Sequence, residues 1–329
     1  MSSALNRESS APPVTRSGDA LAPQTAAAGG GAPGVLWQRL LVACVLAGVL
    51  LGVLSADYFI LHDSLVLHVF MILITFVCAR EFWPLCRAAG HQTFSRWGTI
   101  SACFLVAAHY WHMHLQDPHE ARLVLDGALV VAVLTAFLLA ALRRQLPASL
   151  GGLGVTCLGL LYLWFLPSFL LKVRHLGANG LPNGDDWNRF GTKMLLATVV
   201  LAKGCDFFAY VVGRWAGRRK AFPNLSPGKT IEGVSAGLGG SVLLALLLHW
   251  DAVAVLPAPC FDIPRSLVLG LALGFAGIMG DLSESLLKRS AGVKDAGRMV
   301  PGYGGLLDIM DSLVVAGPVA YFLIPVMLI

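Results

Sequence analysis

The sequence predicts an all-α, polytopic membrane protein with about nine transmembrane helices. Three observations carry this expectation. The 329 residues are 56% hydrophobic and only 13% charged, whereas a soluble domain carries about 45–50% apolar residues and about 25% charge. So little polar surface cannot cover a globule, and the solvent is therefore the lipid bilayer. Apolar runs of about twenty residues, the length that crosses a bilayer as a helix, recur along the chain. The connecting segments alternate between basic and acidic, as loops on opposite faces of a membrane do. The net charge of +5 then belongs to topology and phosphate handling. A nucleic-acid partner would need a basic face on a soluble module, and no such module is visible.

Residues 1–34 are rich in Ala, Gly, Pro and Ser, including Pro12-Pro13 and Ala26 to Gly31. That composition cannot bury a core and predicts a disordered cytoplasmic tail. The first apolar run, Val35–Leu54, starts too late and continues too long for a cleaved signal peptide, so it reads as a signal-anchor helix. Further spans are expected near Leu65–Phe82, Trp97–His114, Leu123–Leu142, Leu150–Leu171, Phe190–Arg214, Gly233–Trp250, Ser266–Leu287 and Gly304–Ile329. Basic residues gather after the even-numbered spans: Arg80, Arg87 and Arg96; Arg143 and Arg144; Arg214 to Lys229; Lys288 to Arg298. The other connections are acidic or mixed, and Lys172 to Arg189 is the least regular. The positive-inside rule then places the N-terminus and both long basic loops in the cytoplasm, with the chain in the inner (cytoplasmic) membrane.

Charge within the spans divides the chain. Residues 35–189 form N-terminal helices nearly free of it, whereas 190–329 carries Lys203, Asp206, Asp281, Glu284, Asp308 and Asp311. An ionisable group at membrane depth costs about 3 kcal/mol and marks function by default, so the chemistry is expected in 190–329. The seven cysteines form no C-x-x-C pair and read as small core hydrophobes.

Three constellations in that region carry chemistry. In Gly280 to Lys288, a helix brings Asp281, Ser285 and Lys288 to one face, with Glu284 beside Lys288. A carboxylate and a hydroxyl there suit a hard cation such as Mg2+; the bland reading is a helix end capped by its own ion pair. In Lys288 to Asp311, four basic residues and a Pro-Gly-x-Gly-Gly turn precede a helix bearing Asp308 and Asp311. Glycine backbone, a helix N-terminus and cations together bind phosphate, and carboxylates hold the metal that bridges phosphates. In Asp206 to Gly233, Asp206 and Tyr210 share a helical face ending at Gly213 and Arg214. A loop of about eighteen residues then delivers Ser226, Lys229, Thr230 and Glu232 to the next helix start, the parts of an anion site.

These stretches resemble the phosphatidate cytidylyltransferase (CDP-diacylglycerol synthase) family. The signature-like run is Ser285-Leu286-Leu287-Lys288-Arg289, Lys294-Asp295, Gly297, Pro301-Gly302, Gly304-Gly305, Asp308 and Asp311. Asp206, Ala209-Tyr210 and Gly213-Arg214, then Ser226-Pro227, Lys229-Thr230 and Glu232-Gly233, look like the upstream motifs in the family's order. Tyr303 stands where the family commonly has histidine, Ile309 where it has arginine, and Ile231 where it has tryptophan, which marks a divergent branch. The resemblance implies a cytidylyltransferase-like C-terminal half that converts CTP and phosphatidic acid to CDP-diacylglycerol and pyrophosphate. It implies Asp281 and Asp308 as principal ligands of Mg2+, with Asp311 and Ser285 supporting and a second mono- or divalent cation beside it. Lys229, Lys288, Arg289 and Lys294 would neutralise the phosphates, Lys294 within the catalytic set. Asp206 and Tyr210 would line a pocket, with Arg214, Ser226, Thr230, Glu232, Gly304 and Gly305 at the substrates. Other CTP-using lipid enzymes (a polyprenol kinase or a CDP-archaeol synthase type), a transporter and an inactive homologue are the alternatives.

Three further features stay open on sequence. His109, His112 and His114 beside Tyr110 and Trp111 read as an interfacial belt before a metal site. Gly233 with Gly237 and Gly270 with Gly274 have the spacing of close helix packing or of a homodimer interface. Glu81, at the cytoplasmic end of the second span, either reaches the site or pairs with Arg80.

Overall fold

The computed structural model describes residues 33–57, 64–142, 146–177, 187–250, 255–256, 261–297, 299–300 and 304–328. The chain is nearly all helix: α1 (Pro33–Ala56), α2 (Leu65–Ala88), α3 (Ser95–His114), α4 (Pro118–Leu142), α5 (Leu146–Leu160), α6 (Leu166–Arg174), α7 (Trp187–Ala216), α8 (Ile231–His249), α9 (Ile263–Ser290) and α10 (Leu307–Leu328). A π-helical turn, Leu161–Phe165, joins α5 to α6, so each of the nine expected spans has its rod. Among the described residues, seven rods are long and apolar enough to cross a membrane. The exceptions are α1, with the shorter apolar part Cys44–Ala56, and α3, diluted by its histidines. The expected tail lies outside the described residues, except that Pro33 and Gly34 already belong to α1. Arg143, Arg144, Arg298, Pro301, Gly302 and Tyr303 also lie outside them.

Helix starts follow local chemistry. Asp262 caps α9 by accepting the Arg265 amide at 2.8 Å, and Thr230 caps α8 by accepting the Gly233 amide at 3.1 Å. The expected loop between α7 and α8 contains a small antiparallel hairpin, β1 (Lys220–Phe222) with β2 (Ser226–Thr230), pairing Lys220 with Thr230 and Phe222 with Ser226. Pro223 and Asn224 suit its turn. Glu232 closes its base by accepting the amides of Arg218 and Arg219 at 3.1 and 3.2 Å.

Small residues let the last four helices meet backbone to backbone. A Cβ at Gly233 or Gly237 would come within 2.7 Å of the Ala209 carbonyl or 2.8 Å of the Cys205 carbonyl on α7, and one at Gly270 within 2.9 Å of the Ser241 carbonyl on α8. Both small-residue pairs are therefore spent on packing within the chain. Ser241 Oγ lies 3.0 Å from the Leu201 carbonyl and 2.7 Å from that of Gly270, tying α7, α8 and α9 together. At Gly280 an added Cβ would overlap the Asp311 carbonyl, so α9 and α10 touch where their carboxylates lie. Gly280→Ala is expected to force them apart at a cost of about 1–3 kcal/mol. The thermal midpoint of solubilised protein checks this against Gly239→Ala, where an added Cβ meets nothing within 4 Å.

The remote end of the bundle collects the histidines. His68 Nε2 lies 3.3 Å from His109 Nδ1, and the His175 ring centroid is 6.2 Å from that of His68. His68, His112 and His114 each donate from Nδ1 to a main-chain carbonyl, at 2.8, 2.8 and 2.7 Å.

Candidate active site

Four elements converge on the other end. The last turns of α9 supply Asp281, Glu284, Ser285 and Lys288, since positions three and four apart on a helix share a face. The first turn of α10 supplies Asp308 and Asp311, α7 supplies Lys203 and Asp206, and β2 supplies Lys229.

Each lysine is tied to carboxylates on other elements. Lys229 Nζ is 2.8 Å from Asp281 Oδ2, which docks the hairpin on α9. Lys203 Nζ is 3.3 Å from Asp311 Oδ1 and 3.5 Å from Asp206 Oδ2. Lys288 Nζ bonds Glu284 within its own helix and Asp308 Oδ1 at 2.7 Å across to α10. Ser285 Oγ donates to Asp281 Oδ1 at 3.3 Å. Five carboxylates thus face three ammonium groups, a local acidic excess.

One oxygen each from Asp281, Glu284 and Asp311 lies within 4.8 Å of the other two. Glu284 is fully buried, and its Oε1 has no hydrogen-bond partner among the described residues. A buried carboxylate with one unsatisfied oxygen, grouped with two further carboxylates, fits a hard divalent cation such as Mg2+. Two of the three expected metal ligands, Asp281 and Asp311, are in this group, with Glu284 as the third member. Asp308 adjoins this group through Lys288 without belonging to it: its Oδ1 faces Lys288, and its Oδ2 accepts the amides of Gly305 at 2.7 Å and Ala296 at 3.1 Å. A carboxylate so engaged organises the loop between α9 and α10. Gly304 allows that grip, with φ +107° and a Cβ position only 2.7 Å from Asp308 Oδ2.

The remaining expected residues lie on the hairpin, α7, the start of α8, the end of α9 and the α9–α10 loop. Arg289 donates to the carbonyls of Leu225 at 3.2 Å and Val293 at 2.9 Å, lashing the hairpin to the end of α9. Lys294 is exposed on the loop. Arg214 donates to the Tyr210 hydroxyl at 3.1 Å along α7. Ser226 begins β2, Thr230 is buried as the α8 cap, and Glu232 holds the hairpin base. Two residues sequence reasoning left unassigned belong here: Lys203, noted only as an intramembrane charge, and Glu81. Glu81 is not confined to Arg80; its carboxylate accepts the Leu306 and Leu307 amides at 3.1 and 2.8 Å.

The family model described as "Cytidylyltransferase family" matches residues 37–327. The chain belongs to the cytidylyltransferase family. Curated relatives named phosphatidate cytidylyltransferase include one from Synechocystis, 33% identical over 274 residues, covering 78% of this chain and 87% of the relative. Another, from Pseudomonas aeruginosa, is 34% identical over 293 residues, covering 87% and 95%. A third, from Chlamydia pneumoniae, is 30% identical over 297 residues, covering 88% and 92%. The cytidylyltransferase match spans the N-terminal helices as well as the acidic cluster, so both halves belong to one enzyme. Of the positions where this cytidylyltransferase departs from the pattern, Ile309 is half-buried in the first turn of α10 and Ile231 is exposed at the start of α8.

Proposed function

We propose that this chain is a CTP:phosphatidate cytidylyltransferase acting in phospholipid synthesis, converting CTP and phosphatidic acid to CDP-diacylglycerol and pyrophosphate. The observation that carries the reading is the largely buried Asp281–Glu284–Asp311 group, with Asp281 half-buried, ringed by lysines from three elements. Relatives of that name align over most of this chain. A phosphate oxygen of the lipid attacks the α-phosphorus of CTP, the bond to the bridging oxygen breaks, and pyrophosphate leaves. Such transfer needs positioning and charge neutralisation more than covalent help from the protein.

Asp281, Glu284 and Asp311 would hold Mg2+, which when bound neutralises phosphate charge. Lys229 and Lys288 sit where they can exchange a carboxylate for a phosphate oxygen, and Arg289 and Lys294 meet the triphosphate from the loop side. Lys203 bridges Asp311 and Asp206. The charge pattern supports a cytoplasmic orientation for this end of the bundle, at the inner membrane, where a water-soluble nucleotide and a bilayer lipid would meet.

The test is purified protein with Mg2+, CTP and phosphatidic acid. CDP-diacylglycerol and pyrophosphate should appear in equal amounts. CDP with a newly phosphorylated lipid would replace this reading by a CTP-dependent kinase. Chelation should remove the activity, and added Mg2+ should restore it.

A further inference from the structure

Glu81 lies on α2, in the half of the chain that carries almost no charge within its spans. It is nearly buried, and its two carboxylate oxygens accept backbone amides 225 and 226 residues away, those of Leu306 and Leu307. These amides open α10, where the first N–H groups of a helix lack partners within it and a carboxylate is the favoured cap. A Cβ at Gly297 or at Gly305 would overlap the Glu81 carboxylate. Gly297 and Gly305 therefore both close on this one side chain. The loop's other flank is held by Asp308 through the amides of Ala296 and Gly305. The loop between two carboxylates carries Lys294 and leads directly into Asp308 and Asp311.

We propose that Glu81 is a positioning residue for nucleotide transfer, clamping Gly297 and residues 305–307 so that Lys294, Asp308 and Asp311 meet the nucleotide in register. The inference rests on the cytidylyltransferase reading for its kinetic consequence, but the clamp itself is readable without activity. It makes α2 a working part of the site rather than a membrane anchor.

Full-length protein carrying Glu81→Ala should lose 30-fold or more in kcat/KM for CTP. Its KM for phosphatidic acid should stay within threefold, and its thermal midpoint close to that of the parent. Glu81→Gln, which keeps one acceptor oxygen, should fall between. Gly297→Ala should be as damaging as Glu81→Ala alone, yet cost less than threefold in the Glu81→Ala background, where the carboxylate it strikes is gone. Hydrogen exchange of the amides in 294–307 should quicken at least tenfold in Glu81→Ala whether or not the enzyme turns over. Parental kcat/KM and unchanged exchange in Glu81→Ala, or losses at Glu81 and Gly297 that simply multiply, would overturn the clamp. If the parent protein forms no CDP-lipid while exchange still quickens, the clamp stands and the substrate assignment falls.

Discussion

Asp281→Asn and Asp311→Asn are each expected to reduce CMP transfer by a factor on the order of a thousand or more, since removal of one preorganised charge-stabilising group already costs on the order of a hundred- to a thousandfold. Both residues belong to the three-carboxylate group, and both also hold a lysine, Lys229 at 2.8 Å and Lys203 at 3.3 Å. Losing either carboxylate weakens the cation site and frees an ammonium group to bind phosphate in the wrong place. The measurement is transfer of labelled CMP to lipid across a Mg2+ titration. Glu284→Gln should raise the Mg2+ needed for half-maximal rate. Asp308→Asn should lower kcat without moving that Mg2+ requirement, because Asp308 grips Lys288 and two loop amides. A raised Mg2+ requirement in Asp308→Asn with none in Glu284→Gln would restore Asp308 as the ligand. Activity within tenfold of the parent in Asp281→Asn would refute the cation site altogether.

The helices were legible because a run of about twenty apolar residues has almost no alternative to spanning a bilayer. Their packing was legible only in part. Gly233, Gly237, Gly270 and Gly274 announced close approach, yet the same spacing serves contacts within a chain and between chains, and only the carbonyls they face separate the two. The hairpin was illegible because Lys220–Phe222 and Ser226–Thr230 are too short and too polar to show alternation. In the site, the acidic residues stood out by their depth in the membrane, but which carboxylates group together depends on how α9 meets α10. The contact at Gly280 sets that register and brings Glu284 to Asp311. Glu81 stayed undecided for a different reason. Its partners are backbone amides, which leave no mark in a sequence, and the glycines that make room for it resemble any flexible loop.

Lys288→Met carries the second large expectation, here on stability as well as activity. The Lys288 ammonium joins Glu284, whose side chain is fully buried, to Asp308, whose side chain is 8% exposed. Removing one partner of a buried ion pair costs about 3–5 kcal/mol, because the charge left behind can neither pair nor reach water. Glu284 would be stranded and Asp308 left with its two loop amides alone, so Lys288→Met should lower the thermal midpoint sharply and abolish transfer. Glu284→Gln added to Lys288→Met should recover much of the midpoint, since a neutral amide no longer demands the ammonium, yet recover none of the activity. Mg2+ discriminates further. If Glu284 helps hold the cation, added Mg2+ should raise the midpoint of Lys288→Met by supplying the missing positive charge, and should do so less in the double variant. Equal Mg2+ stabilisation of both would mean that Glu284 serves Lys288 alone. The cation would then rest on Asp281 and Asp311.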